Sequence, residues 1–166
     1  MSSLKNPRVY SGSINNRDRR ALELIEDYQF KTASDASFYL LLDKVGEGSF
    51  RTAYRITGTT LLIKFPVGGE DCKEGKVHTR AEVRKIRRLS QYRSLRSHVP
   101  PIYYYNGKDG VVVMRYYNTP LDLEGRARDL LIRKVIKELT GVTLGDSVGD
   151  NLKQHRGQLI FVDCGY

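Results

Sequence analysis

The sequence predicts an α+β protein, and the order of its apolar runs is what predicts it. Strand-length runs lie at 38–45, 51–56 and 60–65, and two more at 102–105 and 111–117. A strongly basic amphipathic stretch at 76–93 separates the two groups. Within each group the runs are joined by short turns rich in Gly, Asn and Thr, the signature of antiparallel hairpins. Grouped hairpins split by one helix are an α+β pattern, unlike the strict strand–helix alternation of a doubly wound sheet.

Taken in order, residues 1–13 read as a polar tail without the apolar stretch of a signal peptide. Asn16 is placed to cap a helix over 17–30 that buries Leu22 and Ile25, with Leu24 and Tyr28 beside them. Residues 31–37 are a polar break, and 46–50 turn the chain back. Thr57-Gly58-Thr59 joins the second and third strands. Helix 76–93 presents Ala81, Ile86 and Leu89, with Val77 and Val83, on its apolar side. A turn over 106–110 closes the second hairpin. A further helix over 126–139 carries Leu130, Leu131, Val135, Ile136 and Leu139, with Gly141 as its stop. A loop at 142–151 then leads to a short buried strand at 159–162. The expected organisation is a tail and extra helix at 1–37, a sheet region at 38–117 and a loop-and-strand segment at 118–166.

Composition narrows the function classes. With 166 residues and 40% hydrophobic content the chain can build a real core. No apolar run approaches the roughly 18 residues of a membrane span. Its two cysteines, Cys72 and Cys164, sit at unrelated sites, which points to reduced thiols in the cytoplasm and to no disulfide framework. His78, His98 and His155 lack metal-ligand spacing. The net charge of +9 is concentrated in the helix at 76–93 and its flanks. That stretch is either a solvated face or an attraction for phosphate on a nucleotide, a nucleic acid or an acidic protein. Tyr103-Tyr104-Tyr105 and Tyr116-Tyr117 are either strand packing or a stacking surface for bases.

The chemistry-bearing residues fall in a telling order. Gly46-Glu47-Gly48-Ser49-Phe50-Arg51 is a glycine turn, where backbone can approach phosphate oxygens without a Cβ in the way. Lys64 ends the apolar strand Leu61-Leu62-Ile63. Burying an ammonium there is costly unless it is partnered. Glu82 is the only acid between Gly75 and Lys108, which makes it the candidate partner, with the adjacent Arg84 and Arg88 as the other cations able to neutralise it. Asp146 is followed by Asn151, and then by Asp163-Cys164-Gly165 after an apolar strand.

This set resembles the protein-kinase-like fold, also found in small-molecule phosphotransferases, over about 38–165. The resemblance implies a small lobe with a five-stranded antiparallel sheet plus a helix, and a minimal, truncated catalytic lobe, since only Tyr166 follows Gly165. It implies ATP and Mg²⁺ as cofactors. Gly46, Gly48, Ser49 and Arg51 would form the phosphate loop, with Arg51 standing where the family has a third glycine. Lys64 would hold the α- and β-phosphates and pair with Glu82. Met114 would lie behind the adenine, and Arg115 to Tyr117 would form the hinge whose backbone bonds it, with Tyr116 at its middle. Asp146 would orient or deprotonate the attacking hydroxyl. Asn151 and Asp163 would hold magnesium. The Gly145-Asp146 pair is nearer the small-molecule kinases than the His-Arg-Asp of protein kinases, and Cys164 replaces the phenylalanine of Asp-Phe-Gly. The expected function is an ATP/Mg-binding minimal kinase-like protein that transfers the γ-phosphoryl group to a hydroxyl. The alternatives are a catalytically inactive pseudokinase used as an interaction module and a basic nucleic-acid-binding protein.

Overall fold

The computed structural model describes residues 14–68, 72–143 and 152–162, with backbone alone at 123–127. It is α+β, with elements α1 (Asn16–Tyr28), α2 (Ala33–Ala36), β1 (Leu42–Glu47), β2 (Arg51–Ile56), β3 (Leu61–Pro66), α3 (Lys73–Ser90), β4 (Ile102–Asn106), β5 (Val111–Arg115), α4 (Leu123–Thr140), β6 (Leu152–His155) and β7 (Gln158–Phe161). The chain divides into two compact units, Met1–Arg80 with Pro101–Tyr116 and Ala81–Pro100 with Tyr117–Tyr166. Helix α3 runs from the first into the second.

The first unit holds one antiparallel sheet of five strands in the order β1-β2-β3-β5-β4. Alternation along each strand decides which residues face the core. Ile56, Leu61, Ile63, Phe65, Val111, Val113 and Tyr104 pack with Ala21, Leu22 and Ile25 of α1. Helix α1 is capped by Asn15 rather than Asn16: its side chain accepts the Asp18 N–H at 2.9 Å. Asp18 is itself buried and accepts both the N–H and the hydroxyl of Thr60, which pins α1 to the entry of β3.

The strand expected at 38–45 begins only at Leu42. Thr32 caps the short α2, and the Leu40 N–H bonds Ala36 O at 2.9 Å, so the chain is still coiled where a strand was expected. Ala36 and Leu40 reach the core while Phe38 stays 84% exposed.

Burial pushes the Tyr103 and Tyr104 phenols above their ordinary value of 10.0. Arg115 pulls Tyr103 partly back, and the Asn106 side chain does the same for Tyr104. The Tyr104 hydroxyl makes no well-formed hydrogen bond among the described residues. A phenol whose folded pKa is raised contributes stability that is intact below the unfolded pKa and lost as pH climbs through the folded one. Thermal melts from pH 8 to about pH 11 are therefore expected to fall above about pH 10. Tyr104→Phe is expected to melt as wild type does near neutrality and to show a shallower alkaline decline. An unchanged decline in that variant assigns the alkaline sensitivity elsewhere.

In the second unit the end of α3 meets the end of α4. The Arg88 guanidinium donates twice to Thr140 O, at 2.9 and 2.6 Å, placing a cation on the carbonyl end of the helix. Gly141, at φ 71°, closes α4 as expected, its N–H on Lys137 O at 2.9 Å. Elsewhere on α4, Asp129 and Arg133 form an ion pair at 2.6 Å, and Arg133 lies over the Phe161 ring. Helix α4 does not bury the face that its periodicity predicts. Ile136 is buried, but Leu130, Leu131, Val135 and Leu139 are exposed. The strand expected at 159–162 is one arm of a hairpin with β6, paired from Leu152↔Phe161 to His155↔Gln158. Its turn residues Arg156 and Gly157 both have positive φ, 51° and 76°, the backbone of a two-residue primed turn.

Candidate functional site

The candidate residues of the first unit are gathered by strand register. Gly46 pairs with Ala53, Ala53 with Lys64, Lys64 with Val112, and Val112 with Tyr105. That is one continuous row across the sheet, with about 4.8 Å between neighbouring strands. Leu62 is two residues from Lys64 on the same face and pairs with Met114. Lys64, Ala53, Val112 and Met114 therefore share the face of the sheet opposite α1, since Ile63, Leu61 and Val113 face the α1 core. Lys64 is buried, as is Met114.

At one end of this row the chain turns through Gly48 to Phe50. The Gly48 N–H donates to Arg51 O at 2.9 Å, closing the turn. Ser49 is exposed and Arg51 half-exposed, and Arg51 is already engaged by another group. A bulge between Lys44 and Gly46 bends β1 as it enters the turn. Glu47, the acid inside the glycine turn, is held by Lys44 at 2.7 Å. The hydrogen bond and charge of Glu47 raise the Lys44 ammonium above its usual value. The pair offsets the negative charge of Glu47.

The first turns of α3 brace this turn. Phe50 stacks on His78 with ring centroids 4.3 Å apart. Gly75 lies against Phe50 and Pro66 so closely that a Cβ would come within 2.5 Å of the Phe50 oxygen. Thr79 donates to Gly110 O at 2.9 Å, fastening the same helix to the β4–β5 turn. Motif spacing marks neither Gly75 nor the Phe50–His78 stack. A glycine inside a helical pattern is the signal that finds the first, since it costs about 1 kcal/mol against alanine and implies a packing reason. At the other end of the face, the Tyr116 N–H is taken by Thr60 O at 2.7 Å and its ring carries the Arg55 guanidinium at 5.1 Å.

In the second unit, Glu82 is fully buried on the stripe of α3 that also holds Val83, Ile86 and Leu89. Neither Glu82 nor Lys64 is without an interaction. Asp146, Asn151 and Asp163 lie outside the described residues. What is described is their chain context. The β6–β7 hairpin is paired at Leu152 and Phe161, one residue after Asn151 and two before Asp163. Its β7 arm is fixed by the Arg133–Phe161 contact and by His98 Nδ1, 2.8 Å from Leu159 O.

Other expected features take plainer places. Tyr104 is buried, and Tyr103, Tyr105, Tyr116 and Tyr117 are half-buried. Among the basic residues of α3, Arg80, Arg84, Arg87 and Arg88 are exposed, with Arg88 committed to Thr140. An open groove of about 580 Å³ is lined by Tyr28, Phe30, Phe38 and Tyr39 on the α1 side of the sheet, away from Lys64. No group of His, Cys, Asp and Glu able to hold a metal occurs among the described residues. No described helix is long and apolar enough to cross a membrane.

No family model matches the chain, and no curated protein matches it. Among solved structures it is similar to one titled "PpkA-294 apo form", at 16% identity and a TM-score of 0.46. The match covers 74% of this chain and 57% of that one, so the chain spans little more than half of that structure's length. A likeness at this level is too loose to assign a fold or an activity.

Proposed function

We propose that this chain is a kinase-like nucleotide-binding protein that takes ATP with Mg²⁺ and transfers its γ-phosphoryl group to a hydroxyl acceptor. The observation that supports it most is the row Gly46–Ala53–Lys64–Val112, in which a buried lysine stands two strands from a glycine turn on the face α1 leaves uncovered. A lysine kept in a sheet interior beside a phosphate-accessible turn is arranged for an anion. In this reading Glu82, which is fully buried on α3, would be the carboxylate that pairs with Lys64. Asn151 directly precedes β6 and Asp163 follows Phe161 by two residues in the sequence, and in this reading both would hold Mg²⁺. In this reading Met114 lines the adenine pocket and the backbone at 115–117 bonds the base. The Tyr116 N–H is committed to the sheet, so that role falls to its carbonyl and to its neighbours.

The deciding measurement is calorimetric titration with ATP and MgCl₂. Wild type is expected to bind, and Lys64→Met to bind more weakly by about 1–3 kcal/mol, the scale of a charge-assisted hydrogen bond. Methionine keeps the apolar stem, so the variant's melting temperature checks that the sheet is intact. Equal affinity in the two proteins removes Lys64 from the site. Binding without any phosphoryl transfer selects the pseudokinase. Salt-sensitive binding of RNA or DNA, with no affinity for ATP, selects the nucleic-acid reading.

A further inference from the structure

Helix α4 is turned the wrong way for a helix that packs only within its own chain. It buries Asp129, Ile136 and Thr140, while Leu130, Leu131, Val135 and Leu139 are 75%, 64%, 39% and 52% exposed. At 100° per residue, Leu131, Val135 and Leu139 fall within about 80° of one another, a single apolar stripe. Lys134 and Glu138 run along one edge of that stripe, both exposed. They stand four residues apart on the helix, a spacing that permits an ion pair. Among the described residues neither of them makes one.

We infer that this face is a self-association surface, on which a second copy of the chain lays its own α4 antiparallel, centred on Val135. The spacing of the stripe is self-complementary about that point. Leu131 and Leu139 are each four residues from Val135, so each meets the other in the partner, and Val135 meets Val135. Charge selects the direction. In a parallel pair the two copies of this charged edge lie on opposite sides of the seam, so neither Lys134 nor Glu138 reaches an opposite charge on the partner's edge. In the antiparallel pair each Glu138 comes within about 3 Å of axial offset of the partner's Lys134. One helix face covers less than the roughly 800 Å² per partner of a standard stable interface, so the dimer is weak and concentration-dependent.

The test is sedimentation velocity on the full chain across about 5–500 µM, a range spanning a weak dimer. Wild type is expected to shift from monomer to dimer over that range. Leu131→Lys and Val135→Lys are each expected to stay monomeric with an unchanged circular-dichroism melt, because both positions are exposed. Lys134→Glu and Glu138→Lys are each expected to weaken the dimer several-fold, and the double variant carrying both changes to recover it. A wild type that stays monomeric throughout overturns the inference and leaves the face to a different partner. So does a dimer that persists in Val135→Lys, or one that the double charge exchange fails to restore. If either lysine variant loses its fold, the exposed charge exchanges carry the same decision.

Discussion

Gly75→Ala is expected to lower stability by about 3 kcal/mol, although it adds one methyl group to a helix that should welcome it. Helix propensity alone favours alanine by about 1 kcal/mol. Collision outweighs that. The new Cβ would come within 2.5 Å of both the Phe50 oxygen and the Pro66 Cβ, and within 2.9 Å of the Pro66 Cα. Two of those three atoms are backbone and cannot rotate away. The Phe50 oxygen is also committed, since it accepts the Val67 N–H at 2.8 Å where β2 and β3 begin to pair. Relief therefore requires α3 to back off from the glycine turn or the strand pair to open. For a chain of this size the loss corresponds to a melting temperature roughly 6–12 °C lower. Gly141→Ala is the control: its φ is 71° and nothing lies within 4 Å of an added methyl, so only backbone strain of about 1 kcal/mol is introduced. Equal losses in the two variants would show that the collision at Gly75 is relieved by small shifts and that contact does not require a glycine there. Because α3 braces the glycine turn, Gly75→Ala is also expected to weaken any ligand held there, while Gly141→Ala is not.

Those elements whose sequence pattern coincides with their burial are readable from the sequence. Strand β2 occupies the expected 51–56. Strand β3 carries a lysine that is buried, as the apolar run before it implies. Glu82, the one acid of the basic stretch at 76–93, is among the most buried of the described residues. The departures share a different cause: tertiary context overrides local pattern. Phe38-Tyr39-Leu40-Leu41 looks like a strand, yet a Thr32 cap and the α2 turn hold it in a coil that buries only Leu40 fully. Strand β6, Leu-Lys-Gln-His, has one apolar residue and no alternation to announce it, and its turn is Arg-Gly in place of the more recognisable Asn-Gly. The leucines of α4 look like core because periodicity reports that a face is apolar, not what covers it. The candidate site divides the same way. Its lysine and glycine turn share one row of the sheet, two strands apart, through strand register. Asp146, Asn151 and Asp163 rest on motif spacing.

Asp146→Ala and Asp163→Ala are expected to have the largest effects on activity, and to have different ones. Asp163 would hold Mg²⁺ against the phosphates, so its loss removes the ion that offsets phosphate charge both in the bound nucleotide and in the transition state. Magnesium-dependent ATP binding and phosphoryl transfer are expected to fall together in Asp163→Ala. Asp146 would act on the attacking oxygen, which ATP binding does not involve. Asp146→Ala is therefore expected to keep the wild-type affinity for ATP and to lose about 10²–10⁴-fold in transfer, the usual contribution of a general base or orienting group. The measurement is calorimetric affinity with and without Mg²⁺, paired with label transfer from γ-labelled ATP to the chain itself, to water and to a panel of small hydroxyl compounds. Asn151→Ala belongs beside Asp163→Ala: in this reading both would hold the same ion, so their loss should act alike. If Asp163→Ala binds ATP as wild type does at every Mg²⁺ concentration, the metal role is wrong. If Asp146→Ala loses affinity as severely as Asp163→Ala, the division of labour is wrong even where activity is lost. If wild type binds ATP through Lys64 yet labels nothing, the buried lysine and its sheet row mark a nucleotide receptor, and both aspartates become binding residues at most.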